Sequence, residues 1–281
     1  MDKKTLEIIK QALAEDAYDQ DITTLNLVNK ETMLSGSFIV KATGVVSGID
    51  VAKEVFRVIN PKIKFNPLRK NGEFVNRGDV IASIEGPMHD ILRGEQVAIN
   101  FLQRMCGIAG VTAKFVQELA GTECKILDTS STTPLFRTLE QQAVVDGGGI
   151  NHRHNLASQV FIKSNHITTV GSITKAVELA RKAVGKNKII EVEIENKDEF
   201  MEALKTSVDV IRLENIPNDV MKEIVEINEN KKVLVASGNI ELKKIRSVAL
   251  TGVDYISVDY LTHSYKALDI KLNFYKRLRN K

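Results

Sequence analysis

The sequence predicts an α/β chain in two parts: a small N-terminal part built around a sheet, and a larger repeat of strands and helices. Three observations predict it. Across residues 33–92, alternating or continuous apolar segments (SFIVKA, GVVSGI, FVNRGDVIASIEG) are separated by Gly, Asn and Pro turns. From residue 125 onward, apolar runs bounded by turns alternate with helical segments. The later units recur every ~20–25 residues, a compact βα spacing that favours a barrel over an open sheet. Pattern alone does not close a barrel, so a doubly wound sheet stays open as the alternative. A chain of 281 residues can bury one large core, or one large and one small.

Taken in order, residues 6–14 space Leu6, Ile9 and Leu13 for one face of a helix. EDAYDQDITT follows, its acids and threonines suited to a loop or a helix cap. Within the sheet region a helix is expected near residues 51–59. Residues 94–119 read as a long helix whose small residues at 107–110 let another backbone approach closely. The expected strands of the repeat are KILDTS, VFIKSN, IIEVEIEN, VDVIRLEN, VLVASGN and VDYISVDYL. Between the later ones lie the helical segments SITKAVELARKAV, KDEFMEALKT, NDVMKEIVEIN and ELKKIRSVAL.

Composition narrows the class. A content of 43% hydrophobic and 27% charged residues is that of an ordinary soluble globular protein. A net charge of +3 without a dense Lys/Arg run argues against nucleic acid, and the basic residues 275–281 read as a solvated helix end or tail. Residues 1–10 lack the apolar core of a signal peptide, and no run of about 18 apolar residues could span a membrane. The two cysteines, Cys106 and Cys124, form neither a CxxC pair nor a Cys/His box, so a reducing cytoplasm is expected. No GxGxxG follows the first strand of the repeat and no GxxxxGK[ST] occurs, which weakens dinucleotide and P-loop readings.

The chemistry concentrates at residues 128–166, which hold Asp128, Thr129, Arg137, His152, Arg153, Lys163 and His166 around a Gly-rich turn. Cations and glycines at the C-terminal ends of buried strands imply an anionic small molecule. The other strand ends supply Glu191, Glu193, Glu214, Ser237, Gly238, Ser257 and Asp259. Glu191 and Glu193 are two apart on a strand and point the same way. They either belong to a site or pair with Lys163 and Arg153 to satisfy one another. GGGINHR is either a tight turn or a set of backbone N–H groups facing an anion. Arg153 offers a fork for a carboxylate and Lys163 a point charge. Ser237-Gly238-Asn239 is either a phosphate cradle before a helix or an ordinary turn. His166 and His263 are each structural or part of the site.

The segments EDAYDQDITT, GEQVAINFLQRMCGIAG, DTSSTTP, GGGINHRHNL, FIKSNH, IEVEIEN, ASGNI and TGVDYISVDYLTHS together resemble the quinolinate phosphoribosyltransferase family, in order over nearly the whole chain. The resemblance implies an N-terminal α/β sandwich over residues 1–110, to which 266–281 return, and an incomplete TIM-like α/β barrel over 111–265. It implies a cytoplasmic homodimer or higher oligomer, in which the sandwich of one subunit closes the barrel of its partner. The implied reaction joins quinolinate to phosphoribosyl pyrophosphate with Mg²⁺, releasing pyrophosphate and CO₂ and giving nicotinate mononucleotide. Carried onto this sequence, Lys163, Glu193 and Glu214 become catalytic candidates. Thr129, Ser130, Ser131, His152, Arg153, Lys163 and Gln96 become substrate-binding candidates. Ser237, Gly238, Asn239, Asp259 and His263 become phosphate-binding candidates, and Glu191, Glu193 and Glu214 metal-binding candidates.

The sequence also departs from the family pattern. Gln96 stands where the family usually has Arg, Ser130-Ser131 where it has Arg-Lys, Glu214 where it has Asp, and Asp259-Tyr260 where it has Gly-Ala. His154-Asn155 replace an apolar residue and Gly. Three cations are therefore absent and one acid is added, which keeps other readings open. These are a paralogous transferase for a less anionic base, of the molybdenum-operon type; another small-molecule enzyme on the same scaffold; and a non-catalytic binding protein.

Overall fold

A computed structural model describes residues 1–275. The basic C-terminal segment lies outside the described residues from residue 276 on. The described chain divides into two compact units, one of residues 1–113, 132–148 and 264–275, the other of residues 114–131 and 149–263.

The first unit begins with α1 (Lys3–Glu15), whose N-cap Asp2 accepts from the backbone of Lys4 and Thr5 and whose buried face carries Ile8, Ile9 and Leu13. A short 3₁₀ turn (Tyr18–Gln20) leads to α2 (Ile22–Leu27), capped by Asp21 in the DITT segment. Then follow β1 (Met33–Val40), β2 (Gly44–Val45), α3 (Ile49–Ile59), β3 (Lys64–Pro67), β4 (Phe74–Val75), β5 (Val80–Pro87) and the long α4 (Met88–Glu118). The second unit's sheet starts at β6 (Lys125–Leu127), and α5 (Arg137–Asp146) follows in sequence. α5 groups with the first unit, whereas the sequence placed residues 111–265 together in the barrel. The physical reason lies in α5 contacts within that unit: Glu140, fully buried, pairs with Arg104 of α4, and Gly147 sits so close to Ala109 that a Cβ would fall 2.5 Å from its carbonyl oxygen.

The second unit continues with β7 (Val160–Ile162), α6 (Ser164–Val170), α7 (Ile173–Val184), β8 (Ile190–Ile194), α8 (Lys197–Leu204), β9 (Val210–Glu214), α9 (Asn218–Asn228), β10 (Val233–Ser237), α10 (Leu242–Ala249), β11 (Tyr255–Ser257) and α11 (Tyr260–His263). Back in the first unit, the last described strand, β12 (Ile270–Tyr275), pairs antiparallel with β1.

In the first unit the main sheet runs β12-β1-β5-β3, antiparallel throughout. Phe38, Phe56 and Phe65 meet at ring distances of 5.6–6.1 Å in its core, joining the sheet to α3. The small-residue stretch of α4 has the expected use: a Cβ on Gly107 would lie 2.6 Å from the carbonyl of Lys266, so only glycine lets that backbone approach.

The second unit carries one parallel sheet in the order β6-β11-β10-β9-β8-β7. The strands from β7 to β11 lie beside one another in chain order, and β6 then pairs with β11. This cyclic, singly wound order has no reversal of the doubly wound kind and leaves β6 and β7 unjoined. The fold is an incomplete α/β barrel. Residue alternation sorts the strands. Ile190, Val192, Ile194, Ile211 and Leu213 are buried on one face, while Glu191, Glu193, Arg212 and Glu214 alternate with them and share the other. Ser172 and Asn196 cap α7 and α8 through the backbone N–H of Lys175 and Glu199, starting each helix soon after its loop. Among the described residues, no helix is long and apolar enough to cross a membrane.

Candidate active site

Every strand of the parallel sheet ends, at its C-terminal edge, near a cavity of about 480 Å³. Thr129, Ser130 and Ser131 enter from the loop after β6, Phe161 and Lys163 from β7 and its end, and Glu193 from β8. Arg212 and Glu214 come from β9, Ser237 ends β10 and Gly238, Asn239 and Glu241 follow it, and Asp259, Tyr260 and His263 follow β11. His152 and Arg153 complete the wall. Open α/β folds place ligands at this strand edge because the loops there vary while the sheet behind them holds still.

The site rests on a buried ionic network. Glu191 is 1% exposed. One of its oxygens accepts from Arg212 Nε at 2.6 Å, and the other meets His152 Nε2 at 2.5 Å and Gln159 Nε2 at 2.9 Å. Burial pushes this carboxyl up, but the His152 hydrogen bond and the Arg212 charge outweigh it and hold the group below the usual carboxylate range. The His152 backbone is fixed from the other side, its N–H donating to the fully buried Asp128 at 2.6 Å. Glu191 therefore does not join the metal-binding set expected of it: it is outside the cavity lining, committed to Arg212 and His152. The alternative pairing with Lys163 and Arg153 is corrected too, since its cation is Arg212.

Glu193 behaves differently. Burial first, and then the charge of Glu214, raise its carboxyl above the ordinary value, with Lys163 and Arg212 opposing. Glu214 accepts from Ser237 Oγ at 2.5 Å and from Asn215 Nδ2 at 3.1 Å. The parallel register explains the meeting, because Ser237 stands opposite Glu214, and Glu193 opposite Arg212. Two carboxylates facing one cavity can take a cation between them, but among the described residues no group of three His, Cys, Asp or Glu is arranged as a metal site.

The segment after β10 has a fixed backbone. Gly238 has φ +91°, and a Cβ there would lie 2.1 Å from Asn215 Oδ1 and 3.0 Å from Asn215 N. Asn239 follows at φ +36°. Both residues line the cavity, and turns of this kind are where backbone N–H groups can meet an anion. Asp259, beside it in the lining, places a carboxylate on the same cavity.

The remaining expected residues fall elsewhere. Gln96 is an exposed residue of the first unit, donating to Asn100 at 2.8 Å. The three glycines at 147–149 do not line the cavity, which decides between their two readings in favour of a turn: Gly148 has φ +89°. His154 and Asn155 are exposed and outside the lining, and His166 accepts from the Lys163 backbone through Nδ1 at 3.0 Å. Arg212, Phe161, Glu241 and Tyr260 line the cavity without having been picked out as candidates. For two of them the sequence held the signal: Arg212 is two residues from Glu214 on one face of β9, and Phe161 two from Lys163 at the end of β7.

Comparison with known proteins agrees with this architecture. The family model for the quinolinate phosphoribosyl transferase N-terminal domain matches residues 21–106, and that for the C-terminal domain matches residues 108–273. A probable carboxylating nicotinate-nucleotide pyrophosphorylase of Bacillus subtilis is 36% identical over 267 residues, covering 95% of this chain and 92% of the relative. The chloroplastic carboxylating enzyme of Arabidopsis thaliana is 35% identical, covering 94% and 81%. Among solved structures, NadC from Streptococcus pyogenes superposes with a TM-score of 0.92 at 34% identity, covering 96% of each chain. The nicotinate-nucleotide pyrophosphorylase of Francisella tularensis gives 0.93 at 34% identity, covering 97% and 96%.

Proposed function

The chain belongs to the quinolinate phosphoribosyl transferase family, and from that premise we propose that it transfers a phosphoribosyl group from phosphoribosyl pyrophosphate to quinolinate. Pyrophosphate and CO₂ leave, and nicotinate mononucleotide forms for NAD biosynthesis. The observation that carries the reading is the single strand-edge cavity in which Arg153 and Lys163, Glu193 and Glu214, and the Ser237-Gly238-Asn239 turn face one another.

Each group has a task that its chemistry fits. Arg153 and Lys163 hold carboxylates of the pyridine, with Thr129, Ser130 and Ser131 as neutral hydrogen-bonding partners. His152, oriented by Glu191, stands at the same wall. Ser237, Gly238, Asn239 and His263 receive phosphate oxygens. The pyridine nitrogen attacks C1 of the ribose as pyrophosphate departs, so positive charge grows on the ribose. Glu193 and Glu214 face that charge and favour the transition state electrostatically. Mg²⁺ fits the donor set only as a shared ion: Glu193 and Glu214 supply two carboxylates, and the donor's phosphates would supply the remainder. When bound, it neutralises phosphate charge. Lys163 contributes a cation on the carboxylate side.

The family resemblance further supports a homodimer, with Gln96 near the partner's site, and two cysteines outside any disulfide fit a cytoplasmic protein. A second reading, a transferase for a less anionic base, is favoured by one observation. Ser130, Ser131 and Asp259 line the cavity at positions where the resemblance led one to expect cations and a glycine. The test is product formation: wild-type protein, Mg²⁺, phosphoribosyl pyrophosphate and quinolinate yield nicotinate mononucleotide at about 1 per second or faster. Lys163→Ala and Arg153→Ala each raise the KM for quinolinate, by an amount corresponding to roughly 1.5–3 kcal/mol. Absence of product in the wild type, with the protein folded, rejects the reading.

A further inference from the structure

Among the described residues, Phe161 is the only aromatic residue in the cavity lining contributed by a strand of the sheet, and three cations gather on it. The guanidinium carbon of Arg153 lies 5.0 Å from the ring centroid, the Lys163 ammonium 5.2 Å and the guanidinium carbon of Arg212 5.2 Å. His152 meets the same ring edge-on at 6.1 Å. The sheet accounts for the meeting. Lys163 follows β7 in extended conformation, two residues after Phe161, and so falls on the same side. Phe161 stands opposite Glu191 in the parallel register, and Glu191 carries Arg212 and His152.

A ring and a carboxylate hold a cation in different ways. A carboxylate cancels the charge it holds. The ring quadrupole attracts a cation lying over its face within about 6 Å while leaving the net charge in place. Lys163 shows the consequence: among the described residues no carboxylate lies within 4.0 Å of its ammonium, which stands 5.2 Å from the Phe161 ring centroid while Glu193 acts on it at longer range. Arg212 is paired with Glu191 through Nε, and its guanidinium carbon stays over the ring as well.

We propose that Phe161 is a positioning residue for the anionic substrates: its ring gathers Arg153, Lys163 and the Glu191-paired Arg212 at one wall of the cavity, where the charge of Lys163 is left uncancelled. The proposal rests on reading the cavity as an anion site, and it concerns binding rather than the chemical step. It therefore assigns to an apolar side chain part of the task of concentrating positive charge where Ser130 and Ser131 supply none.

The test compares Phe161→Leu, which fills apolar space without a π face, with Phe161→Tyr, which restores the ring. Full-length protein is titrated calorimetrically with inorganic pyrophosphate and, separately, with pyridine-2,3-dicarboxylate, and KM and kcat are measured alongside. Phe161→Leu weakens binding of at least the dicarboxylate about tenfold, which is about 1.4 kcal/mol. The loss falls on KM rather than on kcat, and Phe161→Tyr recovers affinity to within about threefold of wild type. If the leucine variant does not fold, Phe161→Met, whose flexible side chain refills irregular space, carries the same expectation. Unchanged affinity in the ring-free variants overturns the proposal, as does a tyrosine variant as weak as the leucine one. Wild-type protein that binds neither probe also overturns it. Wild-type protein that binds the probes without turning over quinolinate leaves this proposal standing and rejects the transferase reading.

Discussion

Replacing Glu191 by glutamine tests the ionic network that supports the site. The side chain is 1% exposed, its two oxygens meet Arg212 Nε at 2.6 Å and His152 Nε2 at 2.5 Å, and Arg212 itself is 6% exposed. Glu191→Gln preserves the shape but removes the charge, leaving a buried guanidinium without its counterion. Removing one partner of a buried pair costs about 3–5 kcal/mol. At the lower end of that cost, and with roughly 2–4 °C per kcal/mol, the thermal midpoint falls by about 6–12 °C. Urea denaturation followed by far-ultraviolet circular dichroism measures the free energy directly. Removing both charges, Glu191→Leu with Arg212→Met, costs less than the sum of the single changes, with a coupling of about 0.5–3 kcal/mol. The pH dependence has a definite sign. Glu191 has a folded pKa below its ordinary value of 4.5, so its contribution is present above that value and lost as pH falls through the lower folded one. The glutamine variant loses that part of the acid sensitivity. A loss below about 1 kcal/mol on Glu191→Gln, or strictly additive single changes, would refute the reasoning.

Two further outcomes follow from the site. Gly238→Ala must place a Cβ 2.1 Å from Asn215 Oδ1 at φ +91°. Left-handed strain of about 1–2 kcal/mol and overpacking of about 1–3 kcal/mol add there, and KM for phosphoribosyl pyrophosphate rises more than KM for quinolinate. Equal KM values in wild type and variant would separate this turn from the donor's phosphates. Glu193, raised by burial and then by Glu214, takes up its proton at higher pH than an ordinary carboxylate. Its native-state preference for the proton stabilises the fold at low pH and is lost as pH rises through the raised value. In kcat/KM the acid limb belongs to this group, and Glu214→Gln shifts it to lower pH by removing a like charge; a limb that stays in place assigns it to another group.

Much of the fold was legible because the signals were local. All six strands of the parallel sheet were marked by apolar runs with polar ends, and four of its helices by periodic segments between them. Long-range pairing left no such trace. Nothing in the local pattern of residues 270–275 announces pairing with β1, and nothing around Arg137–Asp146 announces that this helix belongs with α4. The candidate site was legible where chemistry sits at strand ends, as with Lys163, Glu193, Glu214 and Ser237. It was obscure where a residue's role depends on a neighbour from another strand. Glu191 looked like Glu193 in sequence, and only the register with β9 hands it to Arg212. Phe161 was one apolar residue of an expected strand, because a ring shows its cations only once three elements have met.

The most direct measurement counts both leaving products in one reaction. Wild-type protein is given phosphoribosyl pyrophosphate, Mg²⁺ and equal concentrations of quinolinate and nicotinate, and pyrophosphate and CO₂ are quantified together. A carboxylating transferase releases one CO₂ for each pyrophosphate and leaves the nicotinate unused. Pyrophosphate release without matching CO₂, or no release of either, would contradict the account.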